Sequence, residues 1–426
     1  MKEYRTNQVF IPGGIPQFTY VERAERKIVE NIEETKDHLC KIVTLTGQTK
    51  SGKSVMAQKV FPDTEPENVW IEGGITNEED DLWSQIVSKL GVWTEQSEGE
   101  NKGTTSKISG EIGGEANAFL AKGQAKTGTG LDHSRTNKRS RGRTLSAKTV
   151  ALENLPKSAS ALIIDDFHYL PRDTQGSVVR ALKPLIFRGF PVVLIAIPHR
   201  RFDAIKVERE LTGRVFNIEV PYWDTDELEE ISNLGFPLLN VEVDKDVLNQ
   251  FTSEAFGSPH LMQEFCRQLC RDKGIKQTDK NKVSIEEMPT GLFERVAEGT
   301  GRTVFEKLAQ GPRQRSDRIQ RQLRSGMSVD IYKLVLLALA NLKPGMSAIQ
   351  YEDLRGAIRD LVSEALPQAH EISRVLDKMS EIASSDEAST PVIDWQQPDQ
   401  LLHVTDPFFA FFMRWGVNEE ITSQWS

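Results

Sequence analysis

The sequence predicts an α/β fold, a parallel sheet covered by helices on both faces, followed by a helical stretch and a smaller unit of helices and a hairpin. Three observations predict it. Short β-branched runs alternate with helically spaced segments as far as about Pro221. A glycine-rich loop, Gly47-Gln48-Thr49-Lys50-Ser51-Gly52-Lys53-Ser54, stands between the first such run and a helix. Beyond Pro221 the strand signal fades until two short runs that follow Pro391.

Each element has its own signal. Lys41 to Thr46 (KIVTLT) is a β-branched run, followed by Gly47 and a helical pattern through Val60. Asn68 to Glu72 (NVWIE) is a second strand, and Asp80 to Leu90 has helical spacing. Ala161 to Ile164 (ALII) ends in two acids, Asp165 and Asp166. Pro191 to Ile197 and Val215 to Val220 complete five strands. Asp224 to Leu234 and Pro259 to Cys270 read as helices. Ile331 to Asn341, Tyr351 to Val362 and Ala369 to Ile382 read as three more, followed by strands at Pro391 to Trp395 and Leu401 to Thr405. That order is the order of a winged helix. Pro407 to Trp415 (PFFAFFMRW) is too aromatic to stand free and is expected to pack as a closing helix.

Length and composition exclude several classes. The 426 residues allow two or three domains, expected at 1–220, 221–300 and 301–426. With 38% hydrophobic and 27% charged residues the chain is neither fibrous nor disordered. No apolar run approaches the ~20 residues that span a bilayer, and no secretory signal is visible, so the expectation is a cytoplasmic protein with no membrane partner. Three cysteines cannot build a disulfide framework. Cys266 and Cys270 share a helical face, but zinc needs four ligands, and they read as core residues.

Charge is placed unevenly. The net charge is −9, yet the Gly-, Ser- and Thr-rich stretch 98–150 holds ten Lys or Arg against five Asp or Glu. It reads as an inserted loop or hairpin. Its second half, Arg135 to Lys148, would suit a nucleic-acid backbone, but it lacks interleaved aromatics for stacking on bases. Arg315, Arg318, Arg321 and Arg324 recur every three residues with Arg313 just before, a basic stripe if the segment is a linker helix.

The chemistry starts at the glycine loop. G-x-x-x-x-G-K-[ST] between a strand and a helix is a P-loop, and the fold class is therefore expected to be a P-loop NTPase. Gly47 and Gly52 let the backbone curl so that its N–H groups face phosphate oxygens, and the helix N-terminus at Ser54 and Val55 adds positive potential. Lys53 is placed to reach the β- and γ-phosphates, and the Ser54 hydroxyl to ligate Mg²⁺. An apolar strand ending in an acid completes such a site. Asp165 suits the metal and Asp166 the attacking water. The strand 191–197 runs into Pro198-His199-Arg200-Arg201. His199 or Arg200 would sense the γ-phosphate, or the segment is a basic surface turn.

The P-loop, the double-acid strand and the element order resemble the STAND and Orc-like AAA+ group of P-loop ATPases, with a helical lid and a winged helix after the nucleotide domain. The resemblance covers most of the chain. It implies ATP and Mg²⁺ as ligands, with Tyr20 and Val21, in Thr19-Tyr-Val-Glu-Arg23, on the adenine side. It implies a lid turn at Gly257-Ser-Pro259, with Pro259 near the nucleotide. It also implies an arginine finger acting across a subunit interface. Arg214 is the first choice for that role and Arg209 the reserve, either of which would equally serve a local salt bridge. The chain departs from the pattern in two ways that suit a slow switch better than a ring motor. The strand 191–197 lacks a clear polar sensor, and the lid helix starts with His260 where an arginine is often found.

Three functions follow from this reading. The first is an ATP-binding, slowly hydrolysing switch that oligomerises or acts on a separate effector protein, as bacterial relatives of this build do in anti-phage defence. The second is a DNA-dependent ATPase using the 135–148 loop. The third is a nucleotide-binding scaffold without turnover. The third helix of the C-terminal unit carries Glu371, Asp377 and Glu381 against Arg374 and Lys378. That excess of acid opposes a phosphate backbone and favours a packing or regulatory module.

Overall fold

The computed structural model describes residues 2–37, 39–76, 78–92, 95–97, 142–197, 214–312, 319–384 and 391–417. Its centre is a five-stranded sheet of β1 (Ile42–Gly47), β2 (Asn68–Glu72), β3 (Ala161–Asp165), β4 (Val192–Ala196) and β5 (Val215–Val220). The strands lie in the order β2-β3-β4-β1-β5, all parallel. Side chains alternate across the pleat, and the sequence uses both faces. Leu162 and Ile164 pack with α2 (Glu79–Lys89), α3 (Ala147–Ser158) and α4 (Arg172–Ile186). Ala161 and Ile163 pack on the opposite face with α1 (Lys53–Val60) and Ile28 and Ile32. Continuous apolar runs such as ALII are thus the mark of strands buried on both sides.

A second core joins everything else. It runs from Val9 and Phe10 through α5 (Thr225–Gly235), α6 (Lys245–Glu254), α7 (Pro259–Asp272), α8 (Leu292–Glu298) and α9 (Arg302–Gln310) to Met413. Cys266 and Cys270 are fully buried within it, and burial pushes the Cys270 thiol up to about 12. The C-terminal unit adds α10 (Ile331–Asn341), α11 (Tyr351–Leu361) and α12 (Ala369–Ser384). Its sheet is antiparallel, with Leu401–Val404 between Ile349–Gln350 and Ile393–Gln396. The aromatic segment forms α13 (Pro407–Trp415), capped by Asp406, whose carboxylate accepts the Phe409 N–H at 2.7 Å. Phe411 meets Phe265 and Phe293, and Phe412 meets Phe305, so α13 seals the unit onto α7, α8 and α9.

One expectation is corrected. The basic stripe is not helical where it is described: Arg321–Gln322 is a strand, antiparallel to Ser328–Val329 across a turn in which Gly326 takes φ +86°. Backbone pairing wins over the three-residue periodicity because Arg324 N–H donates to Leu361 O and its Nε to Val362 O. Arg321 pairs with Glu371 at 3.4 Å. Arg313, Arg315 and Arg318 lie outside the described residues.

The start of the chain belongs to the helical side. Arg5 bridges Gln277, Thr6 N–H donates to Lys276 O at 3.0 Å, and Gln263 Nε2 donates to Thr19 Oγ1 at 2.7 Å. The chain therefore crosses between the two cores twice, between Val21 and Ile28 and between Val220 and Leu228. The crossings are clamped together. Arg23 donates to Pro221 O and Tyr222 O, each at 3.2 Å, and pairs with Glu227 at 2.7 Å. Arg26 pairs with Asp224 at 3.0 Å and with Glu227 at 3.2 Å.

Candidate nucleotide site

The loop after β1 is built for close approach. A Cβ on Gly47 would meet Val220 O at 2.6 Å, so only glycine lets β1 leave the sheet beside β5. Lys50 and Gly52 take φ +63° and +92°, which turns successive peptides inward and opens α1. The Lys53 ammonium donates to Gly47 O at 2.9 Å and to Gln48 O at 2.8 Å. Burial lowers its pKa to about 8, against the pull of the nearby Asp165 and Asp166 carboxylates. The buried Ser51 Oγ and Gln48 Oε1 have no hydrogen-bond partner among the described residues.

The acids sit at the same edge. Asp165 ends β3, next to Glu72 at the end of β2. Asp166 takes a left-handed conformation, φ 50°, and donates its N–H to Asp165 Oδ1 at 2.9 Å. A Cβ on Gly73 would meet Asp166 O at 2.4 Å, so a glycine after β2 makes room for this turn. Burial and the neighbouring Asp165 raise the Asp166 carboxyl above the usual range. Desolvation and the two aspartates raise Glu72 as well. Glu72 is a third carboxylate that the sequence reading did not single out.

A cavity of about 740 Å³ opens beside the loop and Asp166. Thr49, Lys50, Gly52, Lys53, Ser54, Val55 and Asp166 line it, and so do Tyr20, Val21 and Pro259. The structure thus brings the expected adenine-side residues to the P-loop. It also adds groups that local sequence does not reveal: Trp223, His168, and from the C-terminal unit Val392, Asp406 and Phe408. His260 lines it too, edge-on to Phe408 with ring centroids 4.9 Å apart. Burial and the charge of Lys50 push His260 down to about 4, so it is neutral at physiological pH. Burial raises the Asp406 carboxyl, against its two backbone hydrogen bonds and the charge of Lys50.

Arg214 is not in this cavity. It precedes β5, its carbonyl accepts from Ile42 N–H, and its guanidinium lies 3.8 Å from the centroid of the Phe187 ring. That is the N-terminal end of β5, and the P-loop is at the other end. His199, Arg200 and Arg209 lie outside the described residues, as does most of the 98–150 insertion. Of the basic cluster, Lys148 is held in α3 by Glu79 at 2.6 Å.

The fold has relatives among solved structures. A Walker-type ATPase of Pyrococcus abyssi superposes with a TM-score of 0.50 at 15% identity, over 92% of this chain and 96% of that one. The likeness shows the fold, a parallel sheet flanked by helices with a P-loop at the end of its β1 strand. Looser likenesses are Cdc6p of Pyrobaculum aerophilum and a STAND protein with a tetratricopeptide repeat sensor from Pyrococcus horikoshii. The first has a TM-score of 0.43 at 12% identity over 99% of both chains. The second has a TM-score of 0.36 at 14% identity, over 97% of this chain and 45% of that one. No protein-family model matches the sequence, and no curated protein does. Among the described residues no helix is long and apolar enough to cross a membrane.

The donor set fits a nucleotide with Mg²⁺. Ser54 and Asp165 offer a hydroxyl and a carboxylate, and the phosphates would supply further oxygens, as suits a hard octahedral ion. Among the described residues no group of three or more His, Cys, Asp or Glu could hold a metal unaided.

Proposed function

We propose that the chain is an ATP-dependent conformational switch. It binds ATP, hydrolyses it slowly and reports the nucleotide through the position of its C-terminal unit to a separate effector protein or to further copies of itself. One observation carries this reading. A single cavity is walled by the P-loop on one side and by Val392, Asp406 and Phe408 of the C-terminal unit on another. A ligand that fills it touches both, and its phosphates change the charge that Asp406 faces.

The roles follow from the geometry. The N–H groups of 48–54 and the Lys53 ammonium take the phosphates. Ser54 and Asp165 would hold Mg²⁺, which when bound neutralises developing phosphate charge. Asp166 orients a water whose oxygen attacks the γ-phosphorus. The bond to the bridging oxygen breaks, ADP leaves, and the water's proton passes to Asp166, whose raised pKa helps it accept. Tyr20, Val21 and Pro259 flank the base. His260 carries no charge, which agrees with a slow rate.

We read 331–404 as a winged helix, from the helix-strand-helix-helix-strand-strand order. Glu371 is tied to Arg321 and Lys378 to Glu381, so of the two Lys or Arg residues of α12, Arg374 and Lys378, the second is already paired. This supports a packing and regulatory role over DNA reading.

The test is ATP turnover with and without duplex DNA, with Asp166→Asn as control, together with hydrogen exchange of 391–409 in ADP and in a non-hydrolysable ATP analogue. Expected are slow turnover indifferent to DNA, a loss of about 10²-fold in the variant, and exchange at 391–409 that differs between the nucleotides. Strong stimulation by DNA would move the assignment to a nucleic-acid-dependent ATPase. Binding without turnover would leave a scaffold.

A further inference from the structure

We infer that Trp223 is a positioning residue for the phosphate-binding loop and that it ties the loop to the lid. This rests on the nucleotide reading above. Trp223 lies in the second crossing, between β5 and α5. Its indole N–H donates to Ser51 O at 2.9 Å. Its backbone N–H donates to Gly257 O at 3.2 Å, at the turn that opens the lid helix α7. The Arg23 guanidinium covers the ring, 4.9 Å from its centroid. Arg23 is itself 6% exposed and held by Pro221 O, Tyr222 O and Glu227.

The consequence for the loop comes from peptide geometry. In a trans peptide the carbonyl of one residue and the N–H of the next point in opposite directions. Fixing Ser51 O on the indole therefore turns the Gly52 N–H away from Trp223. Gly52 lines the cavity, and its φ of +92° belongs to the left-handed region. Among the described residues other than its two chain neighbours, the atom within 4 Å of a Cβ built there is Trp223 Cζ2, at 3.9 Å. Trp223 thus selects one orientation of the peptide that presents the donor before Lys53. Without the indole that peptide is free to rotate, since glycine accepts either sense of φ.

The lid is held by the same residue. Gly257 takes φ +72°, and a Cβ there would meet Tyr222 Cβ at 2.9 Å and Trp223 O at 3.2 Å. A shift of that turn would push on the backbone of Trp223, and through the indole on Ser51.

The experiment is binding of ADP and of adenosine, by displacement of a fluorescent ATP analogue, to the wild type, Trp223→Phe and Gly257→Ala, with thermal melting of each. Phenylalanine keeps a ring for Arg23 and removes the donor. Expected is an ADP affinity reduced about 5–10-fold in Trp223→Phe, the effect of one lost orienting hydrogen bond, with adenosine unchanged within about twofold. Gly257→Ala should shift ADP in the same direction although it touches no phosphate. Equal ADP binding by Trp223→Phe and the wild type overturns the inference and leaves the nucleotide site standing. Parallel loss of ADP and adenosine overturns it too, since the role would then be structural support. A wild type that binds no ADP overturns both readings.

Discussion

Raising the pH should weaken nucleotide binding and make each binding event take up a proton, and Lys53 fixes the amount. The Lys53 side chain is buried, with its ammonium on two carbonyls, and its pKa is lowered to about 8 from 10.5. Phosphate oxygens favour the ammonium and raise that pKa again on binding. The proton uptake then equals the fraction of Lys53 that is neutral beforehand. That fraction is about 0.1 at about pH 7, about 0.5 at about pH 8 and about 0.9 at about pH 9. If only the charged form binds, affinity falls about tenfold across the same range, or about 1.4 kcal/mol. Isothermal calorimetry in two buffers of different ionisation enthalpy measures the uptake directly. Lys53→Arg is the control, because a guanidinium stays charged throughout. No uptake at the upper end, or the same uptake in Lys53→Arg, would refute the assignment of the linked proton to Lys53.

Two further outcomes follow from other parts of the molecule. His260 is held neutral by burial, with a folded pKa of about 4 against 6.5, so the stability it contributes is present above about pH 6.5 and lost as pH falls toward 4. Melting temperature against pH should fall more shallowly over that window in His260→Gln than in the wild type. Glu254 receives Arg414 Nη1 at 2.6 Å and Trp415 Nε1 at 2.7 Å and thereby ties α13 to α6. Glu254→Ala leaves both donors without it and should cost about 2–3 kcal/mol in denaturant unfolding; Glu254→Gln should lose about half as much, since it still accepts the indole.

The sheet was legible because its signals are local. β2 at 68–72 and β5 at 215–220 have the expected limits, since each is a short run rich in β-branched and aromatic residues that turns break on either side. Helices 331–341 and 407–415 were legible for the same reason. The P-loop was legible because Gly47 and Gly52 are demanded by their own backbone and neighbours. Glu72 was not, because its role arises from register: it lies beside Asp165 only once β2 pairs with β3, about ninety residues away in sequence. Asp406 was not singled out either: its cap follows from the helix behind it, but the cavity it faces is a tertiary fact. The arginine periodicity misled at Arg321 and Arg324, because a three-residue spacing constrains nothing when the backbone of Arg324 finds a partner in Leu361. The attachment of residues 4–19 to the lid left no mark in the N-terminal sequence, since its partners lie beyond residue 260.

That attachment has a mechanical result. Two spans of backbone connect the sheet to the helical body, and Arg23 and Arg26 pin them side by side. A door on a single pin can swivel and tilt; a door on two adjacent pins turns about the line through them. Such a turn would leave Val21 and Pro259 at a fixed distance from one another, because both belong to the helical body, the moving leaf. It changes their distances to Lys53 and Ser54, which belong to the frame. A base gripped by the leaf and phosphates gripped by the frame would make the nucleotide itself the latch, and the number of phosphates would set how far the door stands open.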